Sequence, residues 1–149
     1  MTLDYAGILE DRLDKLGLPD PAHNWLMDVW HAWQVLDDAA DGTSGNRALA
    51  EDVTMALFVR MPLNGFWQAN AGALVPMLAL QITKWKAANA AEAEGRADAR
   101  SYMWRAGYYD LVAAVCLLCG KDHDALAALS IYGETFEEYR GEFPCQPQQ

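Results

Sequence analysis

The stretch Asp20–Gly42, DPAHNWLMDVWHAWQVLDDAADG, decides the fold class. Wound at about 100° per residue, it places Asn24, Asp28, His31, Gln34, Asp38 and Asp41 on one polar stripe that extends to Asp37. Trp25, Leu26, Val29, Trp33, Leu36 and Ala40 fall on the opposite side. Asp20 as N-cap, Pro21 in the first turn and Asp41-Gly42 at the far end bracket a single helix. The stripe has the pattern of the solvated face of an amphipathic helix.

Working outward from this segment gives more helices of the same kind. Upstream, a helix is predicted from about Leu3 to Leu16, stopped by Gly17 and by Leu18-Pro19, because a residue before proline resists helical geometry. Downstream, the loop Gly42–Gly45 leads to a third helix over about Asn46–Arg60, which Met61-Pro62 should end. Asn64 can cap a long fourth helix from Gly65 to about Ala93, with a kink expected at Pro76. Gly95 is the break before a fifth, about Ala97–Cys119, closed by Gly120, and a sixth runs from Asp122 to about Tyr139. No segment alternates with period two, and β-branched residues are sparse. The expectation is an all-α, single-domain bundle of about six helices over residues 1–140, with 141–149 as a flexible C-terminal tail.

The chain has 149 residues and a formal net charge of −10, with 52% hydrophobic residues including six Trp. That is enough apolar material for one core and too much for a disordered chain. The acidic balance argues against binding a nucleic-acid backbone, which needs a basic surface. The most apolar windows, Ala71–Ile82 and Leu111–Cys119, fall short of the roughly 18 residues of a membrane span. The amino terminus has no basic stretch leading into an apolar run, so no signal peptide is read there. A soluble cytoplasmic protein is expected, without nucleic acid or membrane as partner. Cys116-x-x-Cys119, His123 and Cys145 loosely match a zinc spacing, but the pair sits in LVAAVCLLCG, where free cysteine behaves as a small hydrophobe.

Chemistry concentrates at the end of the second helix. Asp37, Asp38 and Asp41 crowd a carboxyl terminus, where the helix dipole disfavours negative charge, and Asp37 and Asp41 are a like-charged i,i+4 pair. A hard divalent cation such as Mg2+ would reverse that repulsion. The spelling Asp37-Asp38-Ala39-Ala40-Asp41 resembles the DDxxD motif of isoprenoid diphosphate and terpene synthases, all-α enzymes in which the motif holds Mg2+ on a substrate diphosphate. That resemblance, over about a dozen residues, implies Asp37, Asp38 and Asp41 as metal-side carboxylates. The family's second acidic motif and the basic pair after the first are missing, and only Arg47 is near. Separately, HNWLMDVWHAWQVLDDAADG and RSYMWRAGYYDLV look like uncharacterised small proteins of tailed bacteriophages and prophages, which implies an accessory or virion-associated role inside a bacterial host.

Three further residues are singled out. Asp110 shares its helix face with Met103, Ala106, Ala113 and Leu117, so it is expected among apolar neighbours with a salt bridge to another helix. Arg105 can clamp a phosphate or pair with the aspartate cluster. His31 is a second buried polar candidate. Lys84 and Lys86 are read as dipole-favoured cations near a helix end, and Trp25, Trp30 and Trp33 as core. Two functions follow. The first is a non-enzymatic phage-type accessory or assembly protein, acting through helical surfaces as a homo-oligomer or on a protein partner, with no cofactor. The alternative is a Mg2+-dependent enzyme acting on a diphosphate-containing substrate.

Overall fold

A computed structural model describes residues 4–43, 45–123 and 135–144. The described residues form seven helices and no strand, so the chain is an all-α bundle. α1 spans Tyr5–Asp14 and α2 Asp20–Asp41. α3 spans Arg47–Met55 and continues through a π-helical turn, Ala56–Arg60, into Met61–Leu63. α4 is the long helix Gly65–Ala93. It is followed by α5 (Ala99–Arg105), α6 (Gly107–Leu118) and α7 (Phe136–Glu142).

The termini follow local chemistry. Asp4, Asn46, Asn64 and Asp98 each accept a backbone N–H of the first turn of the helix they precede. Thr135 and Glu138 form a reciprocal capping box at α7. Gly42, at φ 71°, takes the left-handed conformation that closes α2 and lets the chain turn into α3.

Four expectations are corrected. The N-cap of α2 is Pro19, not Asp20, and Asp20 is the first helical residue. Met61-Pro62 does not stop the third helix. The π turn before it, in which the Met61 N–H reaches the Ala56 carbonyl, widens the helix where the Pro62 ring would meet the Phe58 carbonyl. The fifth helix is two, because the chain breaks at Ala106 and restarts at Gly107. A Cβ on Gly107 would lie 3.1 Å from Gln81 Cγ, so the break lets α6 approach α4 closely. The last helix begins at Phe136 after its Thr135 cap, and Gly141 and Glu142, assigned to the tail, belong to it. The earlier part of the sixth segment, beyond His123, and Cys145 lie outside the described residues. α4 runs without a break through Pro76.

The core sits where α1, α2, α4 and α6 meet. Leu9 and Leu13 of α1 pack with Trp25, Leu26 and Val29 of α2, Leu74 of α4, and Leu111, Val112, Val115 and Cys116 of α6. Trp25 is fully buried and stacks on Trp67 at 5.9 Å, with Phe66 tilted against it at 6.1 Å. Cys116 is a core residue, in line with its apolar setting. On the far side, Tyr139 of α7 is fully buried against Tyr102 and Phe143.

The polar stripe of α2 is not simply solvated. Arg60, from the π turn, reaches Asp28 on that stripe at 3.0 Å and Asp52 on α3 at 3.0 Å. One guanidinium thus ties α3 to α2, and its hydrogen bonds to Asp52 and then Asp28 hold it above the ordinary arginine value. Asp52 is lowered, first by its hydrogen bond from Arg60.

Candidate functional site

The carboxyl half of α2, the carboxyl half of α4 and the amino half of the α5–α6 segment meet around one arginine. Arg105 donates from Nε to Glu92 Oε1 at 2.5 Å and from Nη2 to Glu92 Oε2 at 2.7 Å, a bidentate pair. Nη2 also donates to Asn89 Oδ1 at 2.9 Å, and Nη1 to Asp37 Oδ1 at 3.3 Å. Trp85 Nε1 donates to the same Asp37 oxygen at 2.8 Å. Tyr139 donates to Glu92 Oε1 at 3.0 Å, and its hydroxyl lies 2.6 Å from Ser101 Oγ. Burial opposes the charge on Arg105, but hydrogen bonding and attraction to Glu92, with Asp37 behind, leave it above the ordinary arginine value. Burial, reinforced by Glu92 and eased by Ser101, pushes Tyr139 up to about 12.

Beside this cluster lies a cavity of about 490 Å³, within the size range of small-molecule pockets. Its walls are aromatic: Trp30 and Trp33 from α2, Trp85 from α4, and Tyr102, Tyr108 and Tyr109 from α5 and α6, with Tyr5 of α1. Trp33 and Trp85 meet edge to face at 5.6 Å. The polar lining is Gln34, Asp37, Gln81, Arg105 and Glu138. Gln81 is 5% exposed, and its amide oxygen is buried with no hydrogen-bond partner. Such an orphan acceptor typically costs about 1–3 kcal/mol, so its presence in a cavity wall calls for an explanation.

The residues singled out from the sequence part company here. Asp37 turns inward to Trp85 and Arg105, so the arginine pairs with one carboxylate of that cluster. Asp38 lies at the α2–α3 turn, where its carbonyl accepts from Thr43, and Asp41 is exposed. Asp41 is raised above the ordinary aspartate value by burial first and then by Asp37, with Glu92 and Asp38 adding to it against Arg105. Among the described residues, no three His, Cys, Asp or Glu side chains converge on a point fit for a metal ion. Arg47 is exposed and bonds Glu51. His31 is half-buried on another face of α2, edge-on to Trp30 at 5.3 Å.

Asp110 is a correction. It is exposed because the face it shares with Met103 and Leu117, 65% and 76% exposed, is itself turned to solvent. Its partner, Lys84 Nζ at 2.7 Å, does come from another helix, and that contact rather than a dipole accounts for the lysine.

Glu92, Asn89, Trp85, Gln81 and Arg60 were missed by sequence reasoning. The one available signal was Asn89 and Glu92 at i,i+3 inside the alanine-rich stretch Ala87–Ala93, where two polar side chains share a face of a helix otherwise suited to close packing. No helix among the described residues is long and apolar enough to cross a membrane. Comparison with known proteins found no family model, no curated protein and no solved structure that matches this chain.

Proposed function

We propose that the protein is a non-enzymatic accessory or assembly protein that works by pairing with a second copy of itself through α4, in keeping with its resemblance to small phage proteins. The observation that carries this reading is the outer face of α4. Between Arg60 and Lys84 the sequence has no charged residue. A helix apolar on all sides is ordinarily buried on all sides. Here Ala69, Gly72, Ala73, Pro76, Ala79 and Leu80 form one exposed face, flanked by Val75 and Ile82. Phe58 and Leu63, 78% and 72% exposed, precede it in the chain.

Charge favours a second copy as the occupant. Two molecules of net charge −10 repel over most of their surfaces, and they meet at least cost where neither carries charge. Small residues at i,i+3 and i,i+4 allow close helix approach, and one self-complementary patch is what a twofold dimer needs.

Sedimentation equilibrium at high micromolar concentration tests the proposal. A dimer is expected, converted to monomer by Ala73→Glu or Leu80→Glu with the far-UV circular dichroism unchanged. A strict monomer in the wild type, or a dimer indifferent to both substitutions, overturns it.

A further inference from the structure

The Arg105 cluster accounts for its own hydrogen bonds, but it does not account for the cavity beside it. Three properties of that cavity specify one kind of occupant. Its walls present the faces and edges of Trp30, Trp33, Trp85 and Tyr109, which stack on flat rings and attract cations. Its charge is acidic on balance. Arg105, the one cation of the described lining, is shared by the carboxylates of Glu92 and Asp37, and Glu138 adds a third carboxylate. Among the described residues of its lining, the buried polar atom without a hydrogen-bond partner is Gln81 Oε1, an acceptor that takes a donor. An anion meets Asp37 and Glu138 and offers nothing to Gln81. A neutral hydrocarbon satisfies the rings and leaves the amide oxygen orphaned.

We infer that the aromatic cavity between α2, α4 and α6 is a binding site for a small flat organic cation bearing N–H donors, of the amidinium or protonated heteroaryl-amine class. The ring stacks against the indoles, the cationic N–H groups donate to Gln81 Oε1, and the acidic lining supplies the complementary potential. This site is independent of the α4 outer face, so its occupancy does not require dimerisation.

Benzamidinium is the probe, with benzamide as its neutral counterpart of nearly the same shape and benzoate as its anionic one. Quenching of indole fluorescence reports binding directly, because three tryptophans line the cavity. Saturable binding of benzamidinium is expected, at least tenfold tighter than benzamide, with no saturation by benzoate. Gln81→Leu, which keeps the volume and removes the amide, is expected to weaken benzamidinium at least tenfold. Tyr109→Leu, at a partly exposed wall position, provides a second variant and should weaken it severalfold. Equal affinity for benzamide and benzamidinium, preferential binding of benzoate, or no saturable binding of any of the three to the wild type overturns the inference. Full affinity in a folded Gln81→Leu protein overturns the role given to that amide.

Discussion

Two arginines in this molecule each bridge two carboxylates, and they differ mainly in their access to water. Arg105, with a side chain 17% exposed, binds Glu92, which is 5% exposed, and Asp37. Arg60, 42% exposed, binds the 15% exposed Asp28 and the 55% exposed Asp52. Both are held above the ordinary arginine value. The geometry is alike, but the consequence of breaking it is not. Removing Arg60 leaves Asp52 to water and Asp28 with partial access to it, whereas removing Arg105 leaves Glu92 charged inside the protein with Tyr139 as its remaining side-chain donor among the described residues. The comparison shows that burial, more than the number of contacts, sets what an ion pair is worth to the fold.

The sharpest way to break the comparison is Arg105→Ala. Orphaning a buried carboxylate is expected to cost about 3–5 kcal/mol, read as a drop in the urea midpoint at neutral pH. A loss below about 1 kcal/mol would mean that water reaches the cluster. Tyr139→Phe comes next. It removes the hydroxyl shared by Ser101 and Glu92 while keeping the ring packed, and a loss of about 1–3 kcal/mol is expected in the same assay.

Arg60→Ala should cost about 1–2 kcal/mol, between an exposed pair and a buried one, and the difference from wild type should shrink in 1 M NaCl, where the exposed Asp52 pair is screened. Its pH dependence has a definite sign. Asp52 is lowered by Arg60, so its contribution is present above the ordinary carboxylate range and is lost as pH falls through its lowered value. The wild-type advantage over Arg60→Ala should therefore fade in acid.

Asp41→Asn has the smallest expected effect and the opposite sign. Asp41 is raised by burial and by Asp37, so its favourable contribution is present below the ordinary aspartate value and is lost as pH rises through the raised value. At pH 7 the substitution should stabilise by about a few tenths of a kcal/mol, because it relieves like-charge and dipole repulsion at the helix end. Thermal melts at neutral pH and below the ordinary aspartate range check this, and the gain should vanish in the acid melt.

The same contrast explains what was legible in advance. The Arg105–Asp37 pair could be foreseen because an arginine on a partly apolar helix needs a carboxylate, and the end of α2 has a surplus of them. Glu92 could not be ranked as the stronger partner, since nothing local tells which of two distant helices lies across from Arg105. Asp110 went wrong for a related reason. Its face was read as buried because Met103 and Leu117 are apolar, and the tertiary structure leaves both of them exposed. Met61-Pro62 failed as a stop because a π turn accommodates the proline, and a rule about regular helices does not anticipate the irregular one.

By itself, the sequence determined the helices and most of their ends. Capping by Asn46 and Asn64, the chain reversal at Gly42 and the apolar phase of α2 are satisfied within a few residues, so their physics is local. Only the tertiary structure decided which polar groups left the water together. The Arg105 cluster, the aromatic cavity and the unpartnered oxygen of Gln81 arise from residues far apart in the chain, and each draws its energetics from solvent excluded by neighbours that no local pattern specifies.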